Sequence, residues 1–297
     1  MHHDEVPVDE ALVHRLLVAQ LPALAELPLR IVEPWGTDNA IWRLGDELVV
    51  RLPRIGWAAG QPDKEARWLP QLSPHLTVAV PTPVAVGEPS EEYPFRWAVH
   101  RWLPGDPAGP GRIGDAGAFA ADLARTVIEL RSVPAQGAPP AHNRARPLAA
   151  YDRETRRAIH GARHLVDADA ALSVWEQALA APPHPGPAVW VHGDLEGNCI
   201  VTDGSLSGLV DWGSACAGDP AVDAQVVWSP LFDEGSAAAF LALIEADDAL
   251  VLRARGAAVN QACAALPYYL GTYPLIVERS RAKLTALGIE VREGTLG

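Results

Sequence analysis

The sequence predicts a mixed α/β (α+β) chain in two lobes: a small N-terminal lobe built on an antiparallel sheet, residues 1–103, and a larger, mainly helical lobe, residues 104–297. Three observations predict it. From Leu29 to Pro53, LRIVEPWGTDNAIWRLGDELVVRLP, short apolar stretches alternate with Gly-containing turns, the pattern of antiparallel strands. The run Pro104-Gly105-Asp106-Pro107 then interrupts regular structure, and from Asp115 onward apolar residues recur mainly at helical spacing.

Taken in order, Val8, Leu12, Val13, Leu16 and Leu17 define an amphipathic helix from Val8 to Gln20, with Asp9 and Glu10 where the start of a helix favours negative charge. Three strands follow, at Arg30–Pro34, Ala40–Leu44 and Glu47–Leu52, the first two joined by the turn Gly36-Thr37-Asp38-Asn39. DKEARWLPQL reads as a helix. Val80–Val86 carries Pro81 and Pro83 and is expected at a sheet edge, because proline cannot donate to an interior ladder. After a turn at Glu88–Glu92 comes FRWAVHRWL, Phe95–Leu103, running into the lobe boundary. Phe119, Leu123, Val127, Ile128 and Leu130 mark a helix over Asp115–Ser132, closed by Pro134. AQGAPPAHNRARP is too rich in proline for regular structure, and its Arg144 and Arg146 are expected to be solvated loop charges rather than phosphate contacts. Helices are expected at Tyr151–Gly161 and Ala168–Ala181, where repeated alanines suit close packing, and at Ala237–Glu245 and Ala249–Leu266.

The stretch that carries chemistry is Val189–Asp223, VWVHGDLEGNCIVTDGSLSGLVDWGSACAGDPAVD. An apolar strand leads into the polar loop His192–Asn198. A hairpin turning at Asp203-Gly204 then leads to a second polar loop, Asp211-Trp212-Gly213. Phosphoryl transfer from a nucleotide needs a group to orient and deprotonate the acceptor hydroxyl, and oxygen ligands to hold magnesium against the phosphates. Asp194 suits the first role, and Asn198 and Asp211 suit the second. The order Asp, Asn, Asp-aromatic-Gly matches the protein-kinase arrangement of a catalytic loop followed by a metal loop, with His-Gly-Asp for His-Arg-Asp and Asp-Trp-Gly for Asp-Phe-Gly. With Gly218-Asp219-Pro220 and Asp223 downstream, the chain resembles the aminoglycoside phosphotransferase family of kinase-like small-molecule kinases over roughly Ile31–Tyr273. In one respect it departs. Only Leu195, Glu196 and Gly197 separate Asp194 from Asn198, where the kinase pattern has four residues. Asn198 is kept as the ligand because counting forward would place Cys199 there, and a thiol is a poor partner for magnesium; Glu196 is the possible substitute.

The resemblance implies a protein-kinase-like two-lobed fold and roles for further residues. Arg51 stands in VVRLP where kinases carry the phosphate-pairing lysine, and Glu65 falls at the place of its partner. Arginine keeps the charge and can grip phosphate bidentately, though with a different geometry. The Gly36–Asn39 turn lies where kinases place a phosphate-covering loop, although one glycine is weak evidence. Arg101–Leu103 becomes the hinge offering main-chain groups to a purine, as an edge strand leaving a sheet would; ATP and GTP stay open as donors. His192 is expected to orient Asp194 through ring hydrogen bonds rather than to bind zinc, since no companions stand at metal spacing. Asp219, before Pro220, is expected to cap a helix running to about Trp228, and Asp223 to brace the loop backbone. Asp233, Glu234, Glu245, Asp247 and Asp248 are candidates for binding acceptor ammonium groups, with no basis for choosing among them.

Composition bounds the rest. The formal net charge of −13 argues against general nucleic-acid binding and favours cationic ligands. Three cysteines without a close pair indicate neither a disulfide framework nor a zinc site, and fit a reducing cytoplasm. No signal peptide is expected, because acidic residues stand where one carries positive charge, and no run of about 18 apolar residues calls for a membrane span. The expected activity is therefore transfer of the γ-phosphate of ATP or GTP, with Mg2+, to a hydroxyl of a small molecule. An aminoglycoside comes first, with antibiotic resistance as outcome; a macrolide, a peptide antibiotic or a metabolite are alternatives. The rival reading is a nucleotide-binding pseudokinase without turnover, motivated by the short loop and by Arg51.

Overall fold

Chain contacts divide the structure, a computed structural model describing residues 5–33, 36–142 and 144–292, into two units. One comprises the residues up to Pro104 together with Gly208–Gly213, and the other Gly105–Ser207 and the residues from Ser214 onward.

In the first unit, α1 (Glu10–Gln20) starts at Asp9, whose carboxylate accepts the Leu12 N–H at 2.8 Å. Its buried face, Leu12, Val13, Leu16 and Leu17, packs against one side of a five-stranded antiparallel sheet. Each such side chain contributes about 1.5–3 kcal/mol by leaving water. The strands are β1 (Leu29–Ile31), β2 (Asn39–Leu44), β3 (Leu48–Pro53), β4 (Pro83–Gly87) and β5 (Trp97–Arg101), in the order β1-β2-β3-β5-β4, with α2 (Gln61–Leu72) following β3. The first strand ends at Ile31, and Pro34, expected as its last residue, lies outside the described residues. Proline-rich β4 occupies a sheet edge. The strand approaching the hinge does not: β5 runs between β3 and β4, paired on both sides, with Val50 opposite Val99 and Val86 opposite Ala98. That corrects the expectation of an edge strand with free main-chain groups.

The second unit contains β6 (Asp106–Pro107), α3 (Ala116–Ser132), α4 (Asp152–Ala162), α5 (Ala168–Ala180), β7 (Val189–Val191), β8 (Cys199–Thr202), the start of β9 (Ser205–Leu209), β10 (Cys216–Gly218), α6 (Ala221–Ala224), α7 (Glu234–Leu243), α8 (Asp248–Tyr269) and α9 (Pro274–Ala286). Helices α4, α5, α8 and α9 share a core that includes Ile159, Trp175, Ala258, Val259, Cys263 and Leu284. The hairpin of β8 and β9 turns at Asp203 and Gly204, both with positive φ (51° and 80°), the two-residue turn whose twist matches paired strands. Strand β7 pairs antiparallel with β10, with Val191 opposite Cys216, so that the loops following β7 and preceding β10 start from one small sheet. The helix after Pro220 is one α-helical turn continued by a 3-10 turn at Gln225–Trp228. Among the described residues, no helix is long and apolar enough to cross a membrane.

Candidate functional site

Strand alternation decides where Arg51 points. Leu48, Val50 and Leu52 of β3 join the apolar core with α1, so Arg51 emerges on the opposite face and meets Glu65 of α2. Both are buried, at 9% and 2% exposure. Arg51 Nη1 donates to both Glu65 carboxylate oxygens at 2.6 Å, and its Nη2 donates to Asp211 Oδ1 at 3.0 Å. Glu65 Oε1 also accepts the Trp212 N–H at 3.0 Å, so one carboxylate holds both the guanidinium and the backbone beside Asp211. Asp211 itself sits at φ 57°, in the left-handed region, which costs a side-chain-bearing residue roughly 1–2 kcal/mol. Such strain in a polar loop is a mark of functional positions.

Charge completes this cluster. Burial alone would lower the Arg51 pKa, but the opposed charges of Glu65 and Asp211 prevail and hold the guanidinium above its ordinary value. Burial pushes the Glu65 carboxyl up, with Arg51 pulling against it. His100, on the same face of β5, lies with Nε2 3.8 Å from Glu65 Oε2. Burial, with the Arg51 charge second, pushes its pKa down to about 3, so the ring is neutral.

In the second unit the 192–198 loop is tied from several sides. The fully buried His192 accepts the Asp194 N–H on its ring Nδ1 at 3.3 Å. Asp223 of α6 accepts the main-chain N–H of His192 at 3.0 Å and of Gly193 at 2.8 Å. Burial raises the Asp223 pKa, opposed by His192, these N–H groups and Arg131. Asn198 donates its amide N–H to the Asp194 carbonyl at 2.7 Å, which leaves the amide oxygen as its ligand atom. Glu196 is ion-paired with Lys283 of α9, both largely buried. Asp219 accepts the Ala221 N–H at 2.9 Å and is gripped by Arg253 of α8, with Nε at 2.8 Å.

The Asp194 side chain is about a third exposed, at 29%. Arg144 lies 2.6 Å from its Oδ1 and donates to the Gly193 carbonyl at 2.9 Å. Arg144 is thus no solvated loop charge, whereas Arg146 stacks on the Tyr151 ring, 5.4 Å from its centroid. Gln261 of α8 donates to the same Asp194 oxygen at 3.4 Å. Arg144, Gln261, Lys283 and His100 were not among the site residues expected from sequence. Arg144 stood out only as a charge in a proline-rich loop, and the other three carry no local signal.

Of the residues expected to form a hinge, Arg101 and Trp102 bond as sheet residues. The Arg101 N–H donates to the Thr82 carbonyl and the Trp102 N–H to the Glu47 carbonyl, both at 2.8 Å, while the Arg101 side chain pairs with Glu47. Leu103 is half-buried. Of the acidic residues considered for acceptor binding, Asp233 caps α7 in a reciprocal box with Ser236, and Asp247 caps α8 through the Leu250 N–H at 2.6 Å. A small hollow within the second unit is lined by Arg144, Tyr151, Val222, Gln225, Asn260 and Gln261.

Comparison with known proteins agrees with this layout. The model of the phosphotransferase enzyme family matches residues 31–258. A sequence search of curated proteins finds no match. Among solved structures, the GDP and kanamycin complex of APH(2")-IIia superposes with a TM-score of 0.73 at 18% identity, covering 94% of this chain and 99% of that one. The ADP-bound aminoglycoside phosphotransferase APH(2'')-Ib gives 0.61 at 15% identity over 94% and 98%. The macrolide 2'-phosphotransferase MphH from Brachybacterium faecium gives 0.62 at 24% identity over 94% and 98%. The fold is the kinase-like one of these enzymes, with an antiparallel N-terminal sheet and a helical C-terminal part.

Proposed function

From the premise that this chain belongs to the phosphotransferase enzyme family, we propose that it moves the γ-phosphate of ATP or GTP to a hydroxyl of a small molecule, with Asp194 as the general base. The observation that carries this reading is the preparation of Asp194: a partly exposed carboxylate whose backbone is fixed by His192 and by Asp223. A base so positioned orients the hydroxyl and accepts its proton as the phosphoryl group arrives, typically contributing about 100- to 10,000-fold in rate. Arg51, kept charged and aimed by Glu65 and Asp211, supports the role of gripping nucleotide phosphates. Arg101 and Leu103 bound the segment that would pass along the purine.

Magnesium suits the donor set. Asp211 offers a carboxylate and Asn198 an amide oxygen, and magnesium is commonly held by one or two carboxylates together with substrate phosphates and waters. When bound, the ion neutralises charge on the phosphate oxygens. Glu196, engaged by Lys283, is the weaker candidate.

For the acceptor, the acidic balance of the chain and the kanamycin complex of one structural neighbour favour an aminoglycoside, with antibiotic inactivation as the consequence. A second reading rests on the hollow near Arg144 and Gln261. Its charged lining residue is a cation and its other polar groups are neutral, which favours an acceptor carrying few ammonium groups, such as the macrolide of another neighbour. Three buried, unbridged thiols suit a reducing cytoplasm.

The test is mass spectrometry of aminoglycosides, macrolides, peptide antibiotics and sugar metabolites incubated with protein, magnesium and ATP or GTP. A gain of one phosphate on one class, lost in Asp194→Asn, is the expected result. Turnover of Asp194→Asn at the wild-type rate rejects Asp194 as base. Tight nucleotide binding without any product returns the pseudokinase reading.

A further inference from the structure

The 192–198 loop is one residue shorter than the kinase spacing, and its shortened part is where the C-terminal helix touches it. Lys283 of α9 is 3% exposed, an unusual place for an ammonium group without a partner. It has two partners: it forms an ion pair with Glu196, and it donates to Gln261 Oε1 at 2.9 Å. Gln261 in turn donates through Nε2 to Asp194 Oδ1 at 3.4 Å. One turn earlier on α9, Arg279 fills the space beside Gly197, whose φ of 86° places it in the left-handed region, and a Cβ there would run into the guanidinium. Glu196, Gln261 and Lys283 also line a small hollow beside Asp194, together with Gln225.

We infer that Lys283 is a positioning residue: through Glu196 and Gln261 it sets the conformation of the short loop and the orientation of the Asp194 carboxylate. This rests on the phosphotransferase reading for its kinetic consequence but not for its structural one. Helix α9 lies outside residues 31–258, so the clamp joins the loop to a part of the chain beyond the family match. Truncation of Lys283 leaves the buried Glu196 carboxylate as an unpaired charge, whereas removal of both charges leaves a neutral cluster; the second variant isolates positioning from folding.

The experiment compares wild type, Lys283→Met and the double variant Lys283→Met/Glu196→Gln in the full chain. Three readouts are taken: hydrogen exchange of the peptide spanning residues 192–198, affinity for magnesium-ADP by calorimetry, and kcat and KM for nucleotide turnover. Both variants are expected to exchange the loop amides at least about tenfold faster, with α5 peptides unchanged. Their kcat should fall about 10- to 100-fold, the scale of a misplaced reacting group, while the magnesium-ADP affinity of Lys283→Met stays within about twofold. The double variant should fall no further than the single, since both break one linkage. Loop exchange at the wild-type rate in the double variant overturns the inference, as does a kcat within about twofold of wild type. A wild-type protein with no turnover refutes the phosphotransferase reading instead, and loop exchange then decides the clamp by itself.

Discussion

Glu65→Gln separates what the buried ion pair does for stability from what it does for the nucleotide. In the folded chain Glu65 accepts two bonds from Arg51 at 2.6 Å and one from the Trp212 N–H at 3.0 Å, at 2% exposure. Breaking a buried pair by neutralising one partner costs about 3–5 kcal/mol, because the other charge stays buried without compensation. Two features moderate it. Glutamine keeps the shape and one acceptor oxygen, and Asp211 still receives Arg51 Nη2. A loss of about 2–3 kcal/mol is expected, which for a chain of this size lowers the thermal midpoint by roughly 4–12 °C. The assay is thermal unfolding followed by near-UV circular dichroism, run beside magnesium-ATP affinity. The companion Arg51→Met/Glu65→Leu removes both charges and should recover much of the midpoint while binding magnesium-ATP at least about tenfold more weakly, a single lost charge-assisted contact. A midpoint for Glu65→Gln within about 1 °C of wild type refutes the buried-charge reasoning, and wild-type nucleotide affinity in the double variant refutes the role given to Arg51.

Three further outcomes follow from the same contacts. His100 has its folded pKa pushed down to about 3 from 6.5, so between those values the unfolded chain binds the extra proton and stability falls as pH falls; moving from pH 7 to pH 5 should cost about 2 kcal/mol through this group, and His100→Gln should remove that share of the acid sensitivity in urea midpoints, an unchanged pH dependence counting against a buried neutral ring. Asp194→Ala should cut turnover about 100- to 10,000-fold while leaving magnesium-nucleotide affinity within about twofold, as a group acting on the acceptor proton requires. Asp223→Ala strips the acceptor from the buried N–H groups of His192 and Gly193, so about 1–3 kcal/mol per orphaned group should be lost, and an unchanged thermal midpoint would show that water replaces the carboxylate there.

What could be read from sequence is what short-range chemistry determines. Periodicity located α1, α3 and the helices that follow Asp167, Asp233 and Asp247, because apolar spacing is set within a few residues; the carboxylates that accept the first-turn N–H groups of these helices became visible only in the structure. Asp203-Gly204 gave the hairpin for the same reason: two positive φ angles restrict which residues can stand there. The position of β5 was misjudged because the order of strands in a sheet is a long-range property. Nothing inside FRWAVHRWL says whether a fourth strand will pair with its outer side, and β4 does. Asp233 and Asp247 invite a related error. A charge near the expected acceptor region looks like a binding group, yet the helix start beside it already uses that charge, and the Ser236 partner of Asp233 stood three residues away in plain view. Arg144, Gln261 and Lys283 mark the limit of such reading. Each meets the 192–198 loop from a distant part of the chain, and at any one of those positions an arginine, glutamine or lysine is ordinary on a solvated surface. Only the folded contacts make them distinctive: the buried Lys283 charge must find a partner and finds Glu196, while the partly buried Arg144 and Gln261 reach the Asp194 carboxylate. The spacing motif therefore identifies which side chains could take part in the reaction, while the residues that hold them in place become visible only when the chain is folded.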